Sequence, residues 1–291
     1  MAWINLYDGG RSLGDFDLPL SITGQRGYTF RLKYAVRGGG NGVVFESSIQ
    51  DAASEMPDVC AVKFLRQRDR TRIDRFMNEI RIITDLCHNR IAGFFDSGEI
   101  ELGAGIMIPW VAMGLGGPNL RDHVHQNGPI PLGALVWIGS EMCQALQHVH
   151  QRDIIHRDIK PANFVWDGDD HRHVKMIDFG IAKYIGEDLS ARPLDEFTQH
   201  MEFVGPVFFS SPELIAYADN KKHPVTHRSD LFQLGKVLWF LATGKISAGI
   251  PAKKDCPAGG KFRELIMSLL DDDPDSRLGS AAEIEQQLQA I

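Results

Sequence analysis

Alternating apolar and polar side chains predict strands in the first third of the chain. Residues 28–36 alternate in this way, and the apolar positions resume at residues 43–45 after a run of glycines. A third apolar run, residues 59–62, ends just before Lys63. Two more strands are predicted around residues 91–95 and 106–111. This part of the chain is therefore expected to fold mainly as a sheet.

Helical spacing dominates the rest of the sequence. Apolar residues recur every three or four positions within residues 73–86, which predicts one helix among the strands. A Gly/Pro stretch at residues 114–119 is typical of a linker. Long helices are then predicted at residues 132–150, 231–243, 261–270 and 281–291, the second of them closed by Gly244 in a capping position.

These elements predict an α+β fold with a small β-rich lobe and a larger α-rich lobe. The cleft that two such lobes form is a common place for ligands. We divide the chain into an N-terminal extension of unknown role (1–27), a small lobe (28–110) and a large lobe (111–291).

Composition narrows the possible functions. The 291 residues carry a net charge of −7 without a basic stripe, which argues against a nucleic-acid partner. The longest apolar run, residues 231–242, is interrupted by Lys236 and is too short to span a bilayer, so no membrane partner is expected. The four cysteines are widely separated and are interpreted as buried free thiols of a cytoplasmic protein.

Two features of the small lobe suggest phosphate binding. Glycines let the backbone approach phosphates closely, and the stretch between two strands holds Gly38, Gly39, Gly40, Asn41 and Gly42. The alternative is an ordinary flexible hairpin.

The second feature is Lys63, which follows an apolar strand and precedes Glu79 by sixteen residues on the predicted helix. A lysine oriented by a carboxylate can hold phosphates, whereas the alternative is two solvated charges that never meet.

The strongest motif is the stretch 155–163, followed by residues 176–180. It contains Asp158, Lys160 and Asn163 on one loop, and Asp178 after a short apolar run. Phosphoryl transfer needs charge neutralisation, metal ligands and a positioned acceptor, and these residue types supply all three. Carboxylate and amide oxygens suit Mg²⁺. The alternative is a polar loop that matches by chance.

From residue 28 to the end, the sequence resembles the protein kinase family of the eukaryotic-like serine/threonine class. The resemblance is carried by several blocks in order: residues 156–158, 178–180, 211–213, 229–235 and 273–277. It implies a bilobal kinase fold, ATP and Mg²⁺ as cofactors, and protein hydroxyls as substrate, with autophosphorylation.

By this resemblance, Asp158 would accept or orient the substrate proton and Lys160 would steady the γ-phosphate. Asn163 and Asp178 would hold Mg²⁺. Lys160 is also typical of the serine/threonine class.

Further roles follow from the same resemblance. Lys63 would hold the α- and β-phosphates with Glu79 as its partner. Glu213 and Arg277 would form a buried ion pair, and Asp230 would hydrogen-bond the catalytic-loop backbone.

The adenine ring would lie between Val44 and Ala61 on one side and Val165 on the other. The hinge would be residues 109–111, with the carbonyl of Pro109 as acceptor and the N–H of Val111 as donor. Ile108 would guard the pocket behind the adenine.

The sequence departs from the family pattern at two positions. Arg37 stands where the first glycine is usual, and Pro206 stands where a threonine usually bridges the catalytic Asp and Lys. Pro206 leaves open a phosphotransferase that acts on a non-protein substrate. A separate alternative is a pseudokinase scaffold, against which the intact Lys63, Asp158, Asn163 and Asp178 argue.

Regulation is expected through the activation loop. Arg157, just before Asp158, and Lys183, after the Asp178 motif, are cations that in similar kinases receive a phosphate on that loop. Glu202 would mimic that phosphate, and its rival is phosphorylation at Thr198 or Ser190. Residues 1–27 could also bind a regulatory partner. The histidine pairs 123/125 and 171/173 are interpreted as polar surface rather than metal ligands.

Overall fold

The alternating segments at the start of the chain form antiparallel sheets in the computed structural model, which describes residues 2–38, 42–50, 56–168, 171–184, 206–220, 224–256 and 259–291. The structure divides into two units. The first comprises Met1–Cys87 and Ala92–Gly116, and the second comprises His88–Ile91 and Gly117–Ile291.

The first unit contains a six-stranded antiparallel sheet in the order β3-β4-β5-β6-β8-β7 and a separate hairpin, β1-β2. One helix, α1 (Arg70–Asp85), follows β6. The strands are β1 (Trp3–Asp8), β2 (Arg11–Asp17), β3 (Ser21–Thr23), β4 (Thr29–Gly38), β5 (Gly42–Gln50), β6 (Val59–Leu65), β7 (Phe94–Leu102) and β8 (Ile106–Gly114).

The sheet is apolar on both faces because each face is covered by a different element. Along β5, Phe45 belongs to the core that contains Ile4 of the hairpin, whereas Val44 packs against the core that contains Phe76 of α1. Successive strand residues point to opposite faces, so this alternation follows from the pleat.

The predicted strand at residues 91–95 was wrong in position. The strand begins at Phe94 and continues to Leu102, through several polar residues. Ile91, which belongs to the second unit, instead forms an isolated bridge with Met176 of the same unit.

The second unit is mainly helical, which confirms the predicted α+β class. Its short strands pair as β10-β11 and β9-β12. Its elements are α2 (Leu120–Asn127), α3 (Leu132–His150), β9 (Ile154–Ile155), β10 (Phe164–Trp166), β11 (Val174–Met176), β12 (Lys183–Tyr184), α4 (Pro212–Asn220), α5 (His227–Thr243), α6 (Gly260–Leu269) and α7 (Ala281–Gln289).

Helix α5 is the centre of this unit, since nearly every residue along it is buried. It is capped by Gly244 as predicted, and the φ of 68° at this glycine is the left-handed conformation common at helix ends. Among the described residues, no helix is both long enough and apolar enough to cross a membrane.

All four cysteines are free thiols. Cys60, Cys143 and Cys256 are buried as predicted, but Cys87 is exposed. It directly follows Leu86, the residue that caps α1, so it lies beyond the face of the helix that packs on the sheet.

Candidate active site

Lys63 and Glu79 form an ion pair in the first unit. The Lys63 Nζ lies 2.6 and 2.7 Å from the two carboxylate oxygens of Glu79. β6 directs Lys63 to the face that α1 covers, and Glu79 lies on the buried side of α1, 3% exposed. The alternative of two solvated charges is therefore wrong.

The same face of the sheet carries two of the predicted adenine contacts. Val44 is opposite Lys63 in the β5-β6 pairing, and Ala61 lies two residues before Lys63 on β6. Both pack in the α1-facing core. They therefore line one surface together with the Lys63 side chain.

The glycine-rich stretch is described at its two ends, Gly38 in β4 and Gly42 in β5; Gly39, Gly40 and Asn41 lie outside the described residues. A Cβ on Gly42 would lie 2.9 Å from the carbonyl oxygen of Phe64. Gly42 is therefore required by the sheet itself. Arg37, which replaces the usual first glycine, is exposed.

The predicted hinge was wrong in position. Pro109 and Val111 lie inside β8, and Val111 is paired with Lys63 on one side and Ser97 on the other. The backbone of a strand between two neighbours is used by the sheet, so Val111 has no N–H to offer a ligand. Sheet pairing on the β6 side continues as far as Gly114.

Ile108 does not lie on the face of the sheet that carries Lys63, so it does not have the predicted role beside the adenine pocket. It packs in the core on the opposite side of the sheet, with the hairpin. Met113 is the residue of β8 directly opposite Ala61, and it belongs to the α1-facing core.

In the second unit, Asp158, Lys160 and Asn163 are joined by hydrogen bonds. Lys160 Nζ donates to Asp158 Oδ2 at 2.6 Å, and Asn163 Nδ2 donates to the same oxygen at 3.1 Å. Asn163 Nδ2 also donates to the Asp158 carbonyl at 2.9 Å, which closes the loop on itself. The three predicted residues therefore form one cluster.

The electrostatics of this cluster keep Lys160 charged. Burial opposes the charge, but the carboxylates of Asp158 and Asp178 outweigh it and raise the pKa of Lys160 above its usual value. Burial has the prevailing effect on the neighbouring His156, whose pKa it lowers. The site thus contains a permanent cation beside a neutral imidazole at neutral pH.

Helix α5 fixes the backbone of the loop. The carboxylate of Asp230 accepts the N–H groups of His156 and Arg157 at 2.9 and 2.8 Å, as predicted. One turn later, Gln233 accepts from Ile159 N at 3.1 Å and donates to Arg157 O at 3.0 Å. Sequence reasoning missed Gln233, because a glutamine inside an apolar helix carries no chemical signal.

Asp178 is brought to this loop by the β10-β11 pair. Phe164 pairs with Met176, so the residues next to them meet, and Ile177 N donates to Asn163 O at 2.9 Å. Asp178 has a φ of 67°, and its Oδ1 accepts from Gly180 N at 3.3 Å. Phe179 is fully buried with its ring centroid 4.8 Å from that of His156.

The residues present fit a magnesium ion. The described side-chain hydrogen bonds of Asn163 use only its Nδ2, which leaves the side-chain amide oxygen as a ligand, and Asp178 adds a carboxylate. Hard oxygen donors of this kind, completed by phosphate oxygens and water, are what Mg²⁺ prefers. Val165, the residue predicted below the adenine, is buried in the adjoining β10.

The predicted ion pair between Glu213 and Arg277 is confirmed. The guanidinium binds the carboxylate through two bonds of 2.7 and 2.9 Å, and Ser229 Oγ donates to it at 2.6 Å. Burial alone would raise the pKa of Glu213, but the bonds from Arg277 and Ser229 lower it below its usual value.

Most of the residues named in the activation-loop predictions are not among those that the structure describes. Ser190, Thr198 and Glu202 lie outside the described residues. Arg157 is buried and its guanidinium lies 5.6 Å from the ring centroid of Tyr217, while Lys183 is in β12.

One histidine of each predicted pair contacts the same tryptophan. His123 and His171 both pack against Trp166, which donates from Nε1 to His123 Nδ1 at 3.1 Å. Within the described residues there is no group of three or more His, Cys, Asp or Glu side chains able to hold a metal ion.

A sheet unit with an ion-paired lysine and a helical unit with a clustered Asp–Lys–Asn loop together define a class: phosphotransferases of the protein kinase type. Residues 36–289 match the family model described as the protein kinase domain, and the chain belongs to this family.

The chain is similar to serine/threonine-protein kinases of bacteria. The chain is 39% identical to the serine/threonine-protein kinase PknB of Mycobacterium leprae over 189 residues, which are 64% of this chain and 28% of that protein. It is 31% identical to PknB of Mycolicibacterium smegmatis over 249 residues, 78% of this chain and 38% of that protein. The chain thus spans less than half the length of these relatives.

Proposed function

We propose that this chain is a serine/threonine protein kinase domain that transfers the γ-phosphoryl group of ATP to a protein hydroxyl. The observation that carries the proposal is the hydrogen-bonded cluster of Asp158, Lys160 and Asn163. These groups supply a proton acceptor, a cation and a metal ligand from a single loop.

In the proposed reaction, the substrate hydroxyl oxygen forms a bond to the γ-phosphorus while the bond from that phosphorus to the β-phosphate oxygen breaks. Asp158 accepts or orients the hydroxyl proton. Lys160 remains protonated beside it, since its pKa is raised, and it neutralises charge on the group being transferred.

Asn163 and Asp178 are the proposed ligands of Mg²⁺, which when bound neutralises phosphate charge and orients the oxygens of ATP. Lys63 holds the α- and β-phosphates. Its flexible side chain needs the 2.6 Å bond to Glu79 in order to present the ammonium in one direction.

We propose that Val44 and Ala61 of the first unit, and Val165 of the second unit, are adenine-contacting residues. The backbone that reads the adenine edge is reassigned to residues 115 and 116, because they follow Gly114, the last paired residue of β8. They precede Gly117, whose N–H is already used by the carbonyl of Trp166 at 2.8 Å.

Serine and threonine are the proposed acceptors because Lys160 follows Asp158 by two residues and because the relatives carry that activity in their names. Since ATP is an intracellular nucleotide, we propose that the domain acts in the cytoplasm and that its substrates are proteins.

The test is transfer of label from γ-labelled ATP to casein in the presence of Mg²⁺. Wild type is expected to label the acceptor, and Asp158→Asn is expected to lose the activity by about a thousandfold or more. Asp58→Asn, an exposed carboxylate before β6, is the matched control and should keep full activity. Equal labelling by wild type and Asp158→Asn would contradict the assignment.

A further inference from the structure

The N-terminal hairpin is hydrogen-bonded to the connection between β6 and α1. Tyr7 N donates to Arg66 O at 2.9 Å, and Arg68 N donates back to Tyr7 O at 2.8 Å. The side chain of Arg66 adds a third bond, from Nε to Asn5 O at 3.0 Å. The guanidinium also lies 5.3 Å from the ring centroid of Tyr7.

This connection joins the two residues of the Lys63–Glu79 pair. β6, which carries Lys63, ends at Leu65, and α1, which carries Glu79, begins at Arg70. Residues 66–69 are the whole link between strand and helix. Asp69 at its end caps α1 by accepting from Arg72 N.

The hairpin packs on the sheet through buried apolar side chains. Ile4 and Leu6 are 1% and 0% exposed and pack in one core with Phe45 and Phe64 of the sheet. Burial of two such side chains ties the hairpin to the strands that also carry the glycine-rich stretch and Lys63. The hydrogen bonds from the hairpin therefore connect residues 66–68 to an element that is packed on the sheet.

We propose that the hairpin sets the position of α1, and that Arg66 is a positioning residue which acts on phosphoryl transfer through the Lys63–Glu79 pair. This inference rests on the proposed function. The hairpin precedes residue 36, where the match to the protein kinase domain begins, so it is an addition to the residues that match the family.

The physical reason is the short reach of the ion pair. The Lys63 ammonium lies 2.6 Å from the Glu79 carboxylate, and Glu79 moves with α1. A displacement of α1 therefore changes the distance between the two charged groups. Losing one intramolecular hydrogen bond changes an equilibrium between held and released positions by about threefold to tenfold. The three bonds to residues 66–68 are therefore enough to bias that equilibrium strongly.

The first arm of the test does not depend on catalysis. Amide hydrogen exchange of peptides covering residues 70–85 is measured in wild type, Arg66→Met and Tyr7→Pro; the proline lacks the N–H that bonds to Arg66. Both variants are expected to exchange about threefold or more faster in α1, with α3 and α5 unchanged. Arg11→Met, an exposed arginine on the same hairpin, is the matched control and should exchange like wild type.

The second arm compares kcat/KM for labelled transfer to casein in wild type and Glu79→Gln backgrounds. Arg66→Met is expected to lower it about threefold to tenfold in wild type. It should add nothing once Glu79→Gln has already broken the pair, because both changes act through the same contact. A purely stabilising hairpin would give equal losses in both backgrounds.

Unchanged exchange in both Arg66→Met and Tyr7→Pro would overturn the proposal, as would equal losses in the two backgrounds. If Arg66→Met does not fold, Arg66→Gln takes its place, and Tyr7→Pro supplies the independent measurement. If wild type transfers no phosphate, the proposed function fails, and the exchange measurement still decides whether the hairpin positions α1.

Discussion

The buried carboxylate of Asp230 accepts the backbone N–H of Arg157 at 2.8 Å, and Arg157 adopts a φ of 67°. A residue with a side chain costs about 1–3 kcal/mol in this left-handed conformation. Asp230 offsets that cost from helix α5, which is fixed by burial along nearly its whole length. The geometry of the catalytic loop therefore depends on a residue that has no contact with the reaction.

Asp230→Asn is predicted to impair both stability and catalysis. The amide retains one acceptor oxygen, but its NH₂ group would face a backbone N–H and the charge assistance would be lost. We expect the free energy of unfolding to fall by about 2–4 kcal/mol and kcat to fall at least about tenfold. Urea unfolding and steady-state kinetics measure these effects. The exposed Asp255→Asn should match wild type, and an unchanged kcat in Asp230→Asn would contradict this role.

Gln233→Leu is predicted to lower kcat with a smaller loss of stability. It removes the two bonds of 3.1 and 3.0 Å that hold Ile159 and Arg157. Two neutral hydrogen bonds contribute about 1–3 kcal/mol in total, so kcat should fall about fivefold or more. The same steady-state assay measures the change, with Gln289→Leu at the end of α7 as the control. A fall in stability without any change in kcat would mean that Gln233 does not position the loop.

The Glu213–Arg277 pair predicts a specific dependence of stability on pH. Because the folded pKa of Glu213 is lowered, its charged form stabilises the fold above the usual value of 4.5, and this contribution is lost as pH falls through the lower folded pKa. Glu213→Gln should be less stable than wild type by about 3–5 kcal/mol near neutral pH. Denaturant unfolding should find that this difference shrinks below the usual carboxyl pKa; a constant difference would be inconsistent with the pair.

Lys236 predicts a rise of stability with pH as well, but in the alkaline range. Burial lowers its pKa to about 8 from 10.5, while its Nζ donates to the carbonyls of Ser247 and Gly249. Between these two values the unfolded chain holds a proton that the folded chain has released, so stability rises with pH. Relative to Lys236→Met, wild type should gain about 1 kcal/mol per pH unit across this window. A relative loss of stability with rising pH would contradict this prediction.

Much of the architecture was accessible from the sequence because its signals are local. Helix α3 was predicted with its observed bounds, since its apolar periodicity runs from end to end. Helix α2 was missed although Asn119 caps it by accepting from Asp122 N, because only Leu120 and Val124 are buried and the periodicity is too short to see. Gly128 after its last residue was a further signal that sequence reasoning could have used.

The charged cluster of the site was also predictable, whereas the hinge was not. Asp158, Lys160 and Asn163 occur close together in one motif, which places them on a single loop, and Asp178 occurs in a second motif. The position of the hinge depends on where sheet pairing ends within β8, and an apolar run in a central strand contains no marker of that point. The Lys63–Glu79 pairing needed the structure as well, because sixteen residues of separation do not determine whether two charges meet.

The central claim is that the acceptor is a serine or threonine hydroxyl of a protein. Its most direct test is mass spectrometry of casein and of the chain itself after incubation with ATP and Mg²⁺, for wild type beside Asp158→Asn. We predict phosphate on serine and threonine residues with wild type and none with Asp158→Asn. Consumption of ATP by wild type with no phosphate on either residue type would contradict the account.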